Sequence, residues 1–257
     1  MQVFYKVAAG SLEENYNKTE RVISDLEVLL FAGETAERHN LLGSAFKRLA
    51  MLAPNAKKRT SAYKSAISHY ERAYNNNFNT NKIYSLVNSI EIGCLLVFSE
   101  AIKEGGEFTV DKNKYQLRSF SEAKQTLLNL KEKLVEKSQD NDLNYWDLIA
   151  LLNINLCLLF LIEDDKIETK WAEVTQSFNK IWRKAGSVAN KVAELEHLDF
   201  LTRSLNAAAG VEGESYKPNK DLETRINELK TALHTIQKKI KIRNVADKNL
   251  MQKQRII

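Results

Sequence analysis

The sequence is short of the residues that make tight turns and cross-links: 257 residues contain nine glycines, two prolines and two cysteines. So little glycine and proline leaves few of the turns that a β-sandwich or barrel needs, because those turns draw on residues that pre-set or tolerate unusual backbone angles. A mostly helical chain follows. Cys94 and Cys157 sit in the apolar runs IGCLLVF and LNINLCLLFLI, without CxxC spacing or a neighbouring histidine. They read as small buried hydrophobes, not as a disulfide, metal ligands or a nucleophile. The longest apolar run, Leu148 to Ile162, is interrupted by Asn153 and Asn155 and falls short of the roughly 18 residues of a membrane span. The N-terminus, MQVFYKVAAGS, lacks a basic region followed by a long apolar stretch, so no secretory signal is read and a cytoplasmic location is expected.

Signatures of chemistry are missing too. GxxxxGKS, GxxxxGKT, GxGxxG, GxSxG and HExxH do not occur. His39 falls at a position that suits a bulky packing residue, and His69, His197 and His234 have no second candidate ligand three or four residues away. The acidic trio Glu163, Asp164 and Asp165 lies between two helices, where acids solvate a turn and favour the next helix N-terminus. No enzymatic activity, no metal and no cofactor are expected.

What is present is helix. Hydrophobic residues make up 44% and charged residues 28%, enough apolar material for a folded core. Ser11 with Glu14 forms a capping box, and Leu12, Tyr16, Ile23, Leu26 and Leu30 recur at helical spacing until Gly33. Further helices are predicted from about Thr35 to Ala53, Thr60 to Tyr74, and Asn81 to Gly105. After a polar loop at about 107–118, Ser119 and Glu122 cap a helix to about Lys137, and others cover Leu143 to Ile162, Ile167 to Lys184 and Ser187 to Asn206. No strand is predicted. The linker at 211–219 separates residues 1–210 from a last helix and basic tail at 220–257.

Helix pairs in series suggest a repeat. In ERHNLLGSAFKRLA, Gly43 costs about 1 kcal/mol relative to alanine in a helix interior, so it needs a packing reason. Leu42, Gly43 and Phe46 followed by Ala66, Tyr70 and Ala73 match the first and second helices of a tetratricopeptide unit. Small residues would let the two helices approach, with Phe46 and Tyr70 filling the space beside them. A weaker copy places Trp146, Ile149 and Ala150 against Val174, Phe178 and Ile181. Both copies carry about ten residues more than the 34-residue consensus, placed between their helices. The fold class expected is all-α, with antiparallel helix pairs stacked as a divergent tetratricopeptide-like solenoid.

With ERHNLLGSAFKRLA, a second helix ending HYERAY and then KIYSLVN, the chain resembles the tetratricopeptide-like region of many bacterial multidomain proteins. It is similar, more distantly, to the TRAF-binding central regulatory domain of apoptosis-signal-regulating kinases, with Tyr84 and Asn88 matching that family after the first pair and Tyr145 and Trp146 in a later helix. The resemblance implies a regulatory or scaffolding module joined to, or working with, a separate effector domain or subunit. The grip on a C-terminal carboxylate that some tetratricopeptide domains use is not implied, because Ser85, Ser89 and Ile92 stand at those positions.

Two further patterns remain. Leu222, Ile226, Leu229, Leu233, Ile236 and Ile240 form a three-heptad seam that either caps the stack or pairs with a partner helix, giving a homo-oligomer. Residues 238–257 carry Lys238, Lys239, Lys241, Arg243, Lys248, Lys253 and Arg255 against Asp247, so the excess of basic residues belongs to the tail. With Lys57, Lys58 and Arg59 at the turn before the third helix, this tail is a candidate anion or nucleic-acid contact, although it lacks interleaved aromatics for base stacking. The favoured reading is a non-enzymatic module that binds a protein or peptide along one helical face. Its contact residues are Asn40, Ser44, Lys47 and Arg48, which helical spacing places away from the packing positions.

Overall fold

The computed structural model describes residues 11–78, 82–139, 145–161, 167–184, 188–209, 223–228 and 231. Helix α1 (Leu12–Leu30) opens on the capping box: Ser11 Oγ accepts from the Glu14 amide at 3.2 Å, and Glu14 Oε2 accepts from the Ser11 amide at 3.0 Å. Gly33, at φ +125°, turns the chain into α2 (Ala36–Leu52), where Thr35 caps the Arg38 amide. Only Ala53, Pro54 and Asn55 separate α2 from α3 (Ala56–Asn75). The Asn55 side chain caps the Lys58 amide, so α3 starts four residues before Thr60, and Lys57, Lys58 and Arg59 form its first turn instead of a loop. The residues in excess of the consensus therefore lengthen the helices of this pair, not the connection between them.

Helix α4 (Lys82–Phe98) ends well before the predicted glycines. The Glu100 amide donates to Val97 O and the Ala101 amide to Leu96 O, with Glu100 at φ 54°. This pattern usually recruits glycine to the left-handed position; with glutamate there, the stop signal is hidden in the sequence. The predicted polar loop is instead a hairpin of β1 (Glu107–Val110) and β2 (Asn113–Gln116), antiparallel with Glu107 opposite Gln116 and Val110 opposite Asn113. Its two turn residues, Asp111 and Lys112, both have positive φ, 48° and 66°, as a type I′ turn requires. Phe108 is buried and stacks on Tyr115. Tyr115 OH accepts from Arg72, and Arg118 forms a two-pronged ion pair with Glu71, which fastens the hairpin to α3.

Ser119 and Glu122 cap α5 (Phe120–Gln139), followed by α6 (Tyr145–Leu158), a 3-10 turn (Leu159–Leu161), α7 (Ile167–Lys184) and α8 (Val188–Ala209). Among the described residues the fold is all-α apart from the small hairpin, a helical-repeat stack in which α1, α2, α3 and α4 pack in sequence. In the second half α6 packs on α4, α5 and α7, while α8 packs on α2 and α4. Ile149, Val174 and Phe178 of the weaker copy are buried; the side chains of Tyr145, Trp146 and Ile181 lie outside the described part. Both cysteines are free and buried, as their apolar runs indicate. One continuous core runs from Tyr16 in α1 to Leu205 in α8 and takes in Ile226 of the short helical stretch 223–228. Leu222, Leu229, Leu233, Ile236 and Ile240, like the linker and the acidic trio at 163–165, lie outside the described residues. No described helix is long and apolar enough to cross a membrane.

Candidate functional site

Gly43 sets the geometry of the first repeat. A Cβ at this position would lie 2.9 Å from two ring carbons of Tyr70, well inside the 3.5–4.0 Å optimum for carbon contacts. The absent side chain lets α3 come close enough for the fully buried Tyr70 ring to lie against the α2 backbone. Phe46 stacks on His69 beside it, with ring centroids 5.5 Å apart. With α2 held in this way, its next face turns toward α4 and forms one wall of a polar crevice.

All four predicted contact residues line this crevice. Asn40 Oδ1 accepts from the buried Ser85 hydroxyl at 2.8 Å, and the Ser44 hydroxyl lies between Tyr70 OH at 3.1 Å and Tyr84 OH at 2.8 Å. Lys47 Nζ donates to Asn88 Oδ1 at 2.6 Å and His197 Nδ1 at 3.1 Å, and stands 4.6 Å above the Phe200 ring. The Arg48 guanidinium donates to Glu196 at 3.0 Å. The expectation of an exposed face is corrected here: all four are half-buried, and Lys47 and Arg48 are covered by α8, whose buried Leu198, Phe200, Leu201 and Leu205 seat it in the core. At the other end, Asn40 and Ser44 are half-buried and Tyr84 is partly exposed.

Under Lys47 lies a buried charge cluster. Donation from Lys47 to His197 Nδ1 places the imidazole proton on Nε2, 3.3 Å from Glu91 Oε2. That contact is misaligned for a hydrogen bond, so neither oxygen of the fully buried Glu91 has a hydrogen-bond donor. Glu194 lies in the same neighbourhood, and Asn153 donates to it at 3.4 Å. Burial pushes the Glu194 carboxyl up, opposed by His197, the Asn153 hydrogen bond and Lys47. Lysine, guanidinium, amide and hydroxyl groups in this order can recognise carboxylates, rings and backbone polar groups.

His39 and His69 are not isolated. Their Nδ1 atoms lie 3.0 Å apart, both rings are buried, and Glu34 lies 3.3 Å from His39 Nε2. The Glu34 contact assigns the Nε2–H tautomer to His39, whose Nδ1 then accepts from His69. Burial, aided by His39 and Arg72, pushes His69 down to about 3, and burial likewise lowers His39. Pairings such as this one and Lys47 with His197 span 30 and 150 positions, beyond any local spacing rule. Among the described residues no group of three or more His, Cys, Asp or Glu side chains is placed to hold a metal ion. A cavity of about 20 Å³ beside Glu71, Ser89 and Arg118 has room for about one water. Lys57 and Lys58 are exposed, with Lys58 Nζ 4.7 Å from the Tyr16 ring, while Lys238, Lys239, Lys241 and Arg243 lie outside the described residues.

Residues 2–93 match the family described as Tetratricopeptide Repeats-Sensor. The match covers a little over a third of the chain and takes in α1, α2, α3 and most of α4, hence the Gly43–Tyr70 contact and the crevice wall. Tetratricopeptide-type repeats generally mediate protein–protein interaction or scaffolding and are typically non-enzymatic. No curated protein and no solved structure matches the chain.

Proposed function

We propose that this chain is a regulatory protein-interaction module that binds a protein or peptide segment in the open half of the α2–α4 crevice. Asn40, Ser44 and Tyr84 make the first contacts, and Lys47 and Arg48 form the boundary with α8. The observation that carries this reading is α8 itself. It already fills the other half of the same crevice by setting Glu196 against Arg48 and the Phe200 ring under Lys47. The face is thus complementary to a helix that carries carboxylates and an aromatic ring. A sensor role, suggested by the name of the matched family, would couple occupancy of the open half to a separate effector domain or subunit.

The test is a tagged capture from the native organism's lysate with nuclease in a parallel arm, comparing the natural chain with a Ser44→Arg, Tyr84→Ala double variant. Both positions are partly solvent-accessible but also touch Tyr70, so helical circular dichroism and the denaturation midpoint are compared first, and Tyr84→Phe, which keeps the ring, serves as a second variant. A stoichiometric protein that survives nuclease and is lost with the double variant supports the reading. Retention of that protein by the variant overturns it, and recovery of nucleic acid alone moves the function to the basic tail. Lys47→Glu is unsuitable as a binding test, because it would place a third carboxyl group beside the buried Glu91 and Glu194 and perturb folding.

A further inference from the structure

The end of the stack where α1 meets α2 and α3 meets α4 carries an unusual surface. Successive helices run in opposite directions, so these two inter-repeat turns lie at the same end, one repeat apart. Each presents a phenylalanine almost wholly to solvent: Phe31 is 91% and Phe78 93% exposed. Val28 and Leu29, in the last turn of α1, are 60% and 45% exposed beside Phe31. Single exposed hydrophobes are ordinary, but contiguous ones mark contact surfaces.

Around the Phe31 turn acids outnumber bases: Asp25, Glu27, Glu34 and Glu37 stand there with Arg38, which donates to Gly33 O, and the hairpin tip brings Asp111, beside Lys112, close to Glu27. Burial and the Asp111 carboxylate push the Glu27 carboxyl up, as expected where negative charge is crowded. A fitting occupant has apolar anchors flanked by lysine or arginine. The stretch 229–243, LKTALHTIQKKIKIR, has this composition: Leu229, Leu233, Ile236 and Ile240 share a heptad seam, with five Lys or Arg residues and no acid. Phe31 and Phe78 stand exposed, and a segment of this composition would cover them.

We infer that this end of the stack is a docking surface for the basic segment 229–243 of a second copy of the chain. Reciprocal docking gives a closed two-fold dimer held by two identical tail-to-patch contacts. Two buried phenylalanines supply most of the apolar contact, so losing both should weaken association at least tenfold, and added salt should weaken it further.

Sedimentation equilibrium of the full chain over a concentration series tests this, with a Phe31→Ser, Phe78→Ser double variant and a chain ending at residue 228, which keeps Ile226. The natural chain should dimerise, and each variant alone should be monomeric. Mixing the two variants should restore a weaker heterodimer through the one intact tail-to-patch contact. A monomeric natural chain overturns the inference. Dimerisation of the phenylalanine variant that still requires the tail also overturns it, because the tails would then pair with each other through their seam. Failure of the mixture to associate excludes the tail-to-patch contact.

Discussion

Replacing Gly43 by alanine should destabilise the protein even though alanine is the better helix former. The added Cβ would sit 2.9 Å from Cε1 and Cζ and 3.0 Å from Cδ1 of Tyr70, whose ring is fully buried and tied through its hydroxyl to Ser44. The ring cannot retreat without breaking that hydrogen bond or pressing on Tyr84, whose ring meets it edge-on at 5.9 Å. Overpacking of this kind costs about 1–3 kcal/mol, and the helix-propensity gain returns about 1 kcal/mol. A net loss of about 1 kcal/mol follows. The decisive measurement is a double-mutant cycle by urea denaturation, followed by circular dichroism. In a Tyr70→Leu background the clash is gone, and Gly43→Ala should stabilise by up to about 1 kcal/mol. The sign of the effect therefore depends on Tyr70. If Gly43→Ala stabilised the natural chain and the Tyr70→Leu chain equally, the close-approach account of the glycine would be refuted.

Three other outcomes are expected. His69 titrates at about 3 in the folded chain against 6.5 unfolded, so the unfolded chain binds more protons as pH falls below about 6.5 and stability drops; between pH 8 and pH 5 the loss from His69 alone is about 2 kcal/mol, and His69→Gln should remove that part of the acid limb in denaturation midpoints. His197→Ala should cost about 1–3 kcal/mol because it removes both the acceptor of Lys47 and the imidazole N–H that faces the buried Glu91 carboxyl, whereas Arg48→Ala, which breaks a partly exposed pair with Glu196, should cost under about 1 kcal/mol. Glu100→Gly should stabilise by about 1 kcal/mol, because the residue sits at φ 54° in the left-handed closing position of α4, and an unchanged melting temperature would contradict this.

Features fixed by neighbouring residues were legible in the sequence, and features fixed across the fold were not. Ser11 with Glu14, Thr35, and Ser119 with Glu122 cap their helices through bonds that span three positions. The glycine, alanine and aromatic spacing of α2 and α3 pointed to their close packing for the same reason. The end of α4 was hidden because Glu100 occupies a position where glycine is usual, and the hairpin because Asp111 and Lys112 make its turn without glycine between strands of four residues each. The crevice residues were found by helical spacing, but the burial of Lys47 and Arg48 depends on α8, about 150 residues later. No periodicity in α2 carries that information.

The two halves of the molecule are held by different means, and the crevice lies where they meet. In the first half, Gly43, Ala66 and Ala73 allow close approach, and the Ser44–Tyr84 and Asn40–Ser85 contacts bridge α2 and α4. In the second half, large side chains such as Phe178, Trp182, Phe200 and Leu201 fill the core. Apolar burial is non-directional, so these residues alone would allow α8 to shift along the first half with little loss. Lys47, Asn88, Glu91 and His197 are directional: Lys47 reaches both Asn88 and His197, and His197 faces Glu91, only when α8 stands at one height. Buried charges return little net stability after desolvation, which is consistent with the unsatisfied Glu91 oxygens. Their contribution is register, and register determines how much of the crevice stays open. In the proposed complex, a segment bound at Asn40 and Ser44 would act within about two helical turns of Lys47, the residue that ties α2 to both α4 and α8.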